Sequence, residues 1–156
     1  LVESFLDSNL KESHDLVLIG KARKYASKIT AVLNKSSHSA SVKQLADISF
    51  KELPILLQGA ALSVYPSKYE GFGLPVLESL ASGIPVIAKT GSCLEETGGT
   101  AARYYTAPSE LTIAMESVLN DASLKEKMIA EGKVHAKKFD NDLMAQNYHK
   151  LYESLL

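Results

Sequence analysis

Five short apolar runs alternate with segments of helical periodicity, and that alternation restricts the fold more than any other feature of the chain. DLVLIG (15–20) is a continuous apolar run ending in glycine, the pattern of a buried parallel strand. KARKYASKITAVLN follows, with Ala22, Tyr25, Ala26, Ile29 and Leu33 at helical spacing. Further strands are expected from Val42 to Ala46, in ALSVYPS (61–67) up to Pro66, in PVIAK (85–89) and, with a weaker pattern, in ARYYT (102–106). Between them lie three helical segments: FKELPILLQGA, LPVLESLASG (74–83) with its stop at Gly83, and the one-turn SCLEETGG (92–99). Pro54 falls in the first turn of its helix or slightly later, a mild conflict because a mid-helix proline costs about 3 kcal/mol. Strands and helices in this order imply an α/β fold, a parallel sheet with helices on both faces. Such sheets bind ligands where their strands end at the carboxyl side.

After Pro108 the pattern is wholly helical, so extra C-terminal helices are expected. Leu111, Met115, Val118 and Leu119 form one apolar stripe, and Leu124, Met128, Ile129 and Phe139 a second. Met144, Tyr148, Leu151, Tyr152 and Leu155 form a third, and all three read as core. The opening LVESFLDSNL reads as the later part of a helix, with Val2, Phe5 and Leu6 on one face. Something ordinarily precedes such a start, so a fragment is expected.

The 156 residues suit one domain, and a net charge of −1 argues against a nucleic-acid partner or a polybasic membrane patch. The longest apolar run is far too short to span a bilayer, and no signal-peptide pattern opens the chain. A single cysteine, Cys93, excludes an internal disulfide and reads as a small buried residue at a helix start. His14, His38, His135 and His149 share no ligand spacing, so no metal site is expected. Tyr104 and Tyr105 read as packing, Glu96 as structural, and Lys137 and Lys138 as an exposed face.

The chemistry concentrates in YPSKYEGFGLPVLES. Gly71 and Gly73 permit backbone conformations that other residues resist, and let a ligand approach the main chain. Pro75 suits a first helical turn, which leaves the amides of Gly73, Leu74 and Val76 as candidates to point outward at a helix amino end and attract phosphate. Val76, Leu77, Leu80 and Ala81 make the apolar stripe of that helix, with Glu78 off it and Glu70 in the loop before. Amides for a phosphate beside two acceptor carboxylates for hydroxyls suit a nucleotide sugar. A first-turn glutamate also arises from the helix dipole alone, and a glycine-rich turn from tight turning alone. At the level of these residues both readings stand.

The run PSKYEGFGLPVLESLASGIPVIA strongly resembles the signature of the retaining GT-B-fold glycosyltransferases of the "glycosyl transferases group 1" family. Its hallmark is a glutamate, seven residues and a second glutamate, matched by Glu70 and Glu78. LVLIGKARKY, LADISFKELPILLQGAALSVYPS and GSCLEETGGTAARYY resemble other family segments, and the likeness covers roughly residues 1–152. Relatives are expected among bacterial mannosyl-, galactosyl- or glucosyl-type transferases of surface polysaccharide assembly.

The resemblance implies a Rossmann-like domain, the C-terminal half of a GT-B fold, that binds a nucleotide-sugar donor. A sugar or lipid-linked acceptor would be bound by an N-terminal domain outside this chain. By position, Glu70 would be the catalytic residue at the donor sugar's hydroxyls, and Glu78 would hold the ribose. The backbone of Gly71, Phe72, Gly73 and Leu74 would meet sugar and diphosphate, and Ile48 would contact the base through its main chain. The family is generally metal-independent, so neither metal nor cofactor is expected. The implied location is cytoplasmic, with association at the inner face of a membrane only through parts outside this chain. The family's Gly-Arg turn and downstream Lys should precede Leu1, and Ala46 and Asp47 stand where a glycine and an aromatic are usual. This fragment alone is therefore expected to be inactive. Lys21, Arg23 and Lys24 read first as a solvated helix start and second as groups facing the cleft. A non-catalytic nucleotide-binding module and a related sugar-nucleotide epimerase are the alternatives; the paired glutamates favour transfer.

Overall fold

The computed structural model describes residues 1–21 and 26–155. Ala22 and Tyr25 of the expected helical stripe, and Arg23 and Lys24 of the possible cleft cations, lie outside the described residues.

All five expected strands form, and all pair in parallel. They divide between two ladders. β1 (Leu16–Ile19) pairs with β2 (Val42–Leu45), Leu16 opposite Val42. β4 (Val86–Lys89) lies between β3 (Ser63–Tyr65) and β5 (Arg103–Tyr105), with Tyr65 opposite Ala88 and Ile87 opposite Arg103.

Helices cover both faces, and β4 shows why. Successive strand residues point to opposite sides. Ile87 enters one apolar cluster with Phe5 and Leu6 of α1 (Val2–Asp7) and Leu111, Met115 and Val118 of α6 (Pro108–Asn120). Val32 and Leu33 of α2 (Ala26–Leu33) pack against it, as do Leu16 and Leu18 of β1 and Val64 of β3, so one core joins both ladders. Val86 and Ala88 enter a second cluster with Val76 and Leu80 of α4 (Leu74–Ala81) and Leu94 of α5 (Leu94–Gly98). Near Gly132, α7 (Ala122–Ala136) approaches α4 closely; a β-carbon there would stand 3.0 Å from Leu80 Cδ2. The Asp121 carboxylate caps α7 by accepting from the Leu124 amide at 2.9 Å.

Pro54 lies in the first turn of α3 (Leu53–Gly59), where its missing N–H breaks no helical bond, so the anticipated conflict disappears. Two expectations are corrected. β1 is not buried on both faces: Leu16 and Leu18 are half-buried, while Val17 and Ile19 are exposed. The third stripe is not core either. Met144, Tyr148 and Leu151 of α8 (Asn141–Ser154) are exposed by 52–55 %, and Tyr152 and Leu155 by more. The helix borders a groove of about 570 Å³ shared with Phe72, Leu74, Leu77 and Phe139 rather than closing upon it. Periodicity defines a face; it does not say what fills the space opposite.

No described helix is long and apolar enough to cross a membrane.

Candidate active site

β3 ends at Tyr65, Pro66 follows, and residues 66–73 carry the chain to α4. The last of these, Gly73, has φ +96°, a left-handed conformation that glycine adopts without steric cost. A β-carbon there would stand 2.7 Å from Leu94 Cδ2 and 3.4 Å from Thr97 Oγ1. Gly71 is different. Its φ is not left-handed, and an added β-carbon would meet nothing within 4 Å. The expected conformational need is therefore real at Gly73 and absent at Gly71, where the open space leaves the main chain approachable.

The expected amide cluster is smaller than three. Gly73 is the N-cap, so its carbonyl already accepts the first helical bond, from the Val76 amide at 2.9 Å. The amides of Gly73 and Leu74 make no hydrogen bond to a described residue. Pro75 has no N–H to contribute. Two donors thus remain free at the positive end of α4.

Glu70 is held by a hydroxyl that the sequence did not single out. Tyr65 Oη donates to Glu70 Oε1 at 2.9 Å. Its phenol is pushed up to about 12, first by burial, then by that hydrogen bond and by the charges of Glu70 and Glu78. Glu70 and Glu78 are half-buried. The Glu70 carbonyl accepts from Cys93 Sγ at 3.2 Å, at the start of α5, and the Cys93 side chain is half-buried rather than core. The Glu78 carboxylate makes no hydrogen bond to a described residue, so both its oxygens are available.

The turn is braced from behind. Thr97 Oγ1 donates to the Phe72 carbonyl, and His135 Nε2 donates to the Thr97 carbonyl at 2.9 Å. The Phe72 ring meets Phe139 edge-on with centroids 5.7 Å apart, and Phe139 lies 5.5 Å from the His135 ring. The Phe72 carbonyl is thus held by Thr97, while its ring packs toward the end of α7. Tyr104 Oη donates to the Gly99 carbonyl at 2.9 Å, and Tyr105 is buried; both tyrosines pack, as expected. Glu96, Lys137 and Lys138 are exposed.

Not every anticipated residue joins this cluster. Ile48 is half-buried in the connection after β2, in the other ladder, and no hydrogen bond links it to the β3–α4 turn. Lys21 is exposed after β1. The missed residues are Tyr65, Thr97 and His135. Only Tyr65 had a signal, its place at the end of a strand just before the glutamate turn. Among the described residues no three of His, Cys, Asp or Glu are grouped to hold a metal ion. The larger cavity, about 770 Å³, opens between α1, α6 and residues 35–38, away from both glutamates.

Parallel strands under helices on both faces, with an acid pair and a free helix amino end where a strand finishes, define a domain of the GT-B glycosyltransferase fold. The sequence pattern of the family "Glycosyl transferases group 1" matches residues 1–135. This chain belongs to that family. It is 32 % identical over 111 residues to the O-antigen chain mannosyltransferase B of Escherichia coli, covering 69 % of this chain and 29 % of that protein. Among solved structures, Anabaena HepE in complex with UDP superposes with a TM-score of 0.88 at 18 % identity, covering 99 % of this chain and 44 % of that one. The C-terminal domain of LpcC, a glycosyl transferase group 1 protein of Francisella tularensis, gives a TM-score of 0.78 at 20 % identity over 88 % of this chain and 75 % of that one. The chain thus spans less than a third of the mannosyltransferase it resembles.

Proposed function

We propose that this chain is the donor-binding domain of a retaining glycosyltransferase that moves a hexose from a nucleotide sugar to an acceptor in polysaccharide or glycolipid synthesis. The observation that carries the reading is the half-buried pair Glu70 and Glu78, Glu70 held by the Tyr65 hydroxyl, on either side of the free amides of Gly73 and Leu74. Sugar hydroxyls need acceptors, and a diphosphate needs donors; the turn offers both within a few residues. HepE, with the same fold, has been solved with UDP and with UDP-glucose, which supports a nucleotide-sugar ligand here.

In this reading Glu70 accepts from the donor sugar's hydroxyls and faces the positive charge that develops as the diphosphate leaves. Glu78 accepts from the ribose. The main chain from Gly71 to Leu74 donates to the leaving diphosphate, and Ile48 meets the base. No metal is assigned a role. One lost donor of this kind raises the barrier by about 3 kcal/mol. The acceptor, a sugar or a lipid-linked sugar, is bound by another domain, so this chain alone turns over negligibly. The reaction takes place in the cytoplasm.

A thermal-shift panel of UDP, GDP and their hexose derivatives on the intact protein tests the reading. At least one nucleotide sugar should raise the midpoint. A midpoint unmoved by every member of the panel rejects it.

A further inference from the structure

Resting on that reading, we infer that Tyr65 is the positioning residue of the site: its hydroxyl holds one oxygen of Glu70 so that the other stays turned to the donor sugar. The hydroxyl is a fixed point for two reasons. Tyr65 is the last residue of β3, held in the ladder opposite Ala88, and its ring packs against the second apolar cluster. Glu70, by contrast, stands in the connecting loop, its main chain tied by the Cys93 thiol. A glutamate side chain has three torsions to order, and without an anchor it loses that entropy only when ligand binds. The Tyr65 bond to Oε1, at 2.9 Å, removes most of that freedom beforehand.

The same bond separates the roles of the two acids. A phenol has one proton to donate, and here it goes to Glu70. Glu78 receives no such bond, and its carboxylate makes none to any other described residue. The phenol is raised to about 12, so it remains a donor throughout the neutral and mildly alkaline range. Tyr65 touches no reacting atom in this scheme. It acts through Glu70 alone, so its loss should register on the sugar and leave the nucleotide untouched.

The test is paired titration of the intact protein with UDP and UDP-glucose, or with GDP and GDP-mannose if that pair is the one bound. Tyr65→Phe keeps the ring in its packing and removes the donor. Its affinity for the nucleotide sugar should fall about tenfold, the size of one hydrogen bond to a charged group. Its affinity for the free diphosphate should stay within about twofold of the parent, a change near the spread of such contributions. Glu70→Ala should show the same selectivity with a larger loss. If Tyr65→Phe weakens both ligands equally, or neither, while Glu70→Ala is selective, the positioning role is overturned and the donor reading survives. If Glu70→Ala is itself unselective, the donor reading fails and the positioning role falls with it.

Discussion

A β-carbon on Gly73 would stand 2.7 Å from Cδ2 of Leu94, so the glutamate turn and α5 meet where a side chain has no room. Leu94 is fully buried in the second apolar cluster, so moving it aside disturbs that packing. Gly73→Ala adds this overlap to the cost of a left-handed φ of +96°. The sum is about 2–4 kcal/mol of lost stability. Gly71→Ala meets nothing within 4 Å and has no such φ. It should change stability by less than about 0.5 kcal/mol, so any defect lies in ligand binding. Urea unfolding of the two variants side by side reads the difference; equal losses would refute this account of the turn.

Glu78 should be separable from the fold. Its carboxylate is half-buried and makes no hydrogen bond to a described residue. Glu78→Ala is expected to leave the thermal midpoint in place and to weaken nucleotide binding about 10- to 100-fold, the range for hydrogen bonds to a charged group. Calorimetric titration with the free nucleotide checks it. An unchanged dissociation constant would remove Glu78 from the ribose.

Alkali should unfold the protein sooner than its ordinary tyrosines would require. Burial raises the phenols of Tyr65, Tyr104 and Tyr105, the first two from 10.0 to about 12. A group raised in the folded state contributes stability that is fully present below its unfolded pKa. That contribution is lost as pH climbs through the folded value. The urea midpoint should therefore show no tyrosine-linked decline below about pH 10, then fall toward pH 12. A midpoint flat across that upper window would contradict the burial of these rings.

The apolar stripe of α8 should contribute little to stability in this chain. Leu151 is 52 % exposed, whereas Leu80 is fully buried between α4 and α7. Leu151→Ser is expected to cost less than about 0.5 kcal/mol. Leu80→Ala should cost about 2–5 kcal/mol through lost burial and the cavity left behind. Denaturant titrations of both variants make the comparison, and a large loss from Leu151→Ser would show the groove to be closed in solution.

Much of this was legible along the chain. All five strands lie within the expected runs because period and punctuation are local: Pro66 follows the last residue of β3, Pro75 enters α4, and Gly83, at φ +76°, stops it. The Glu70 and Glu78 spacing is equally local, and the family pattern matches across residues 1–135 that contain it. Failures came where the answer depended on a distant partner. DLVLIG carries the composition of a buried strand, yet nothing in it records that Val17 and Ile19 face open space. The Val76 amide was lost to the site because the Gly73 carbonyl, as N-cap, takes it.

The sequence by itself determined the class of fold, the family and the pair of acids, since each follows from neighbours a few residues apart. Only the tertiary structure decided what orients those acids and what holds the turn in place. Thr97 lies 25 residues from the Phe72 carbonyl it braces, and His135 lies 38 from Thr97. Contacts across such separations arise from how helices seat on a sheet, which local pattern does not encode. The Tyr65 hydroxyl is the nearer case: five residues from Glu70, yet aimed at it only because the strand is locked beside β4.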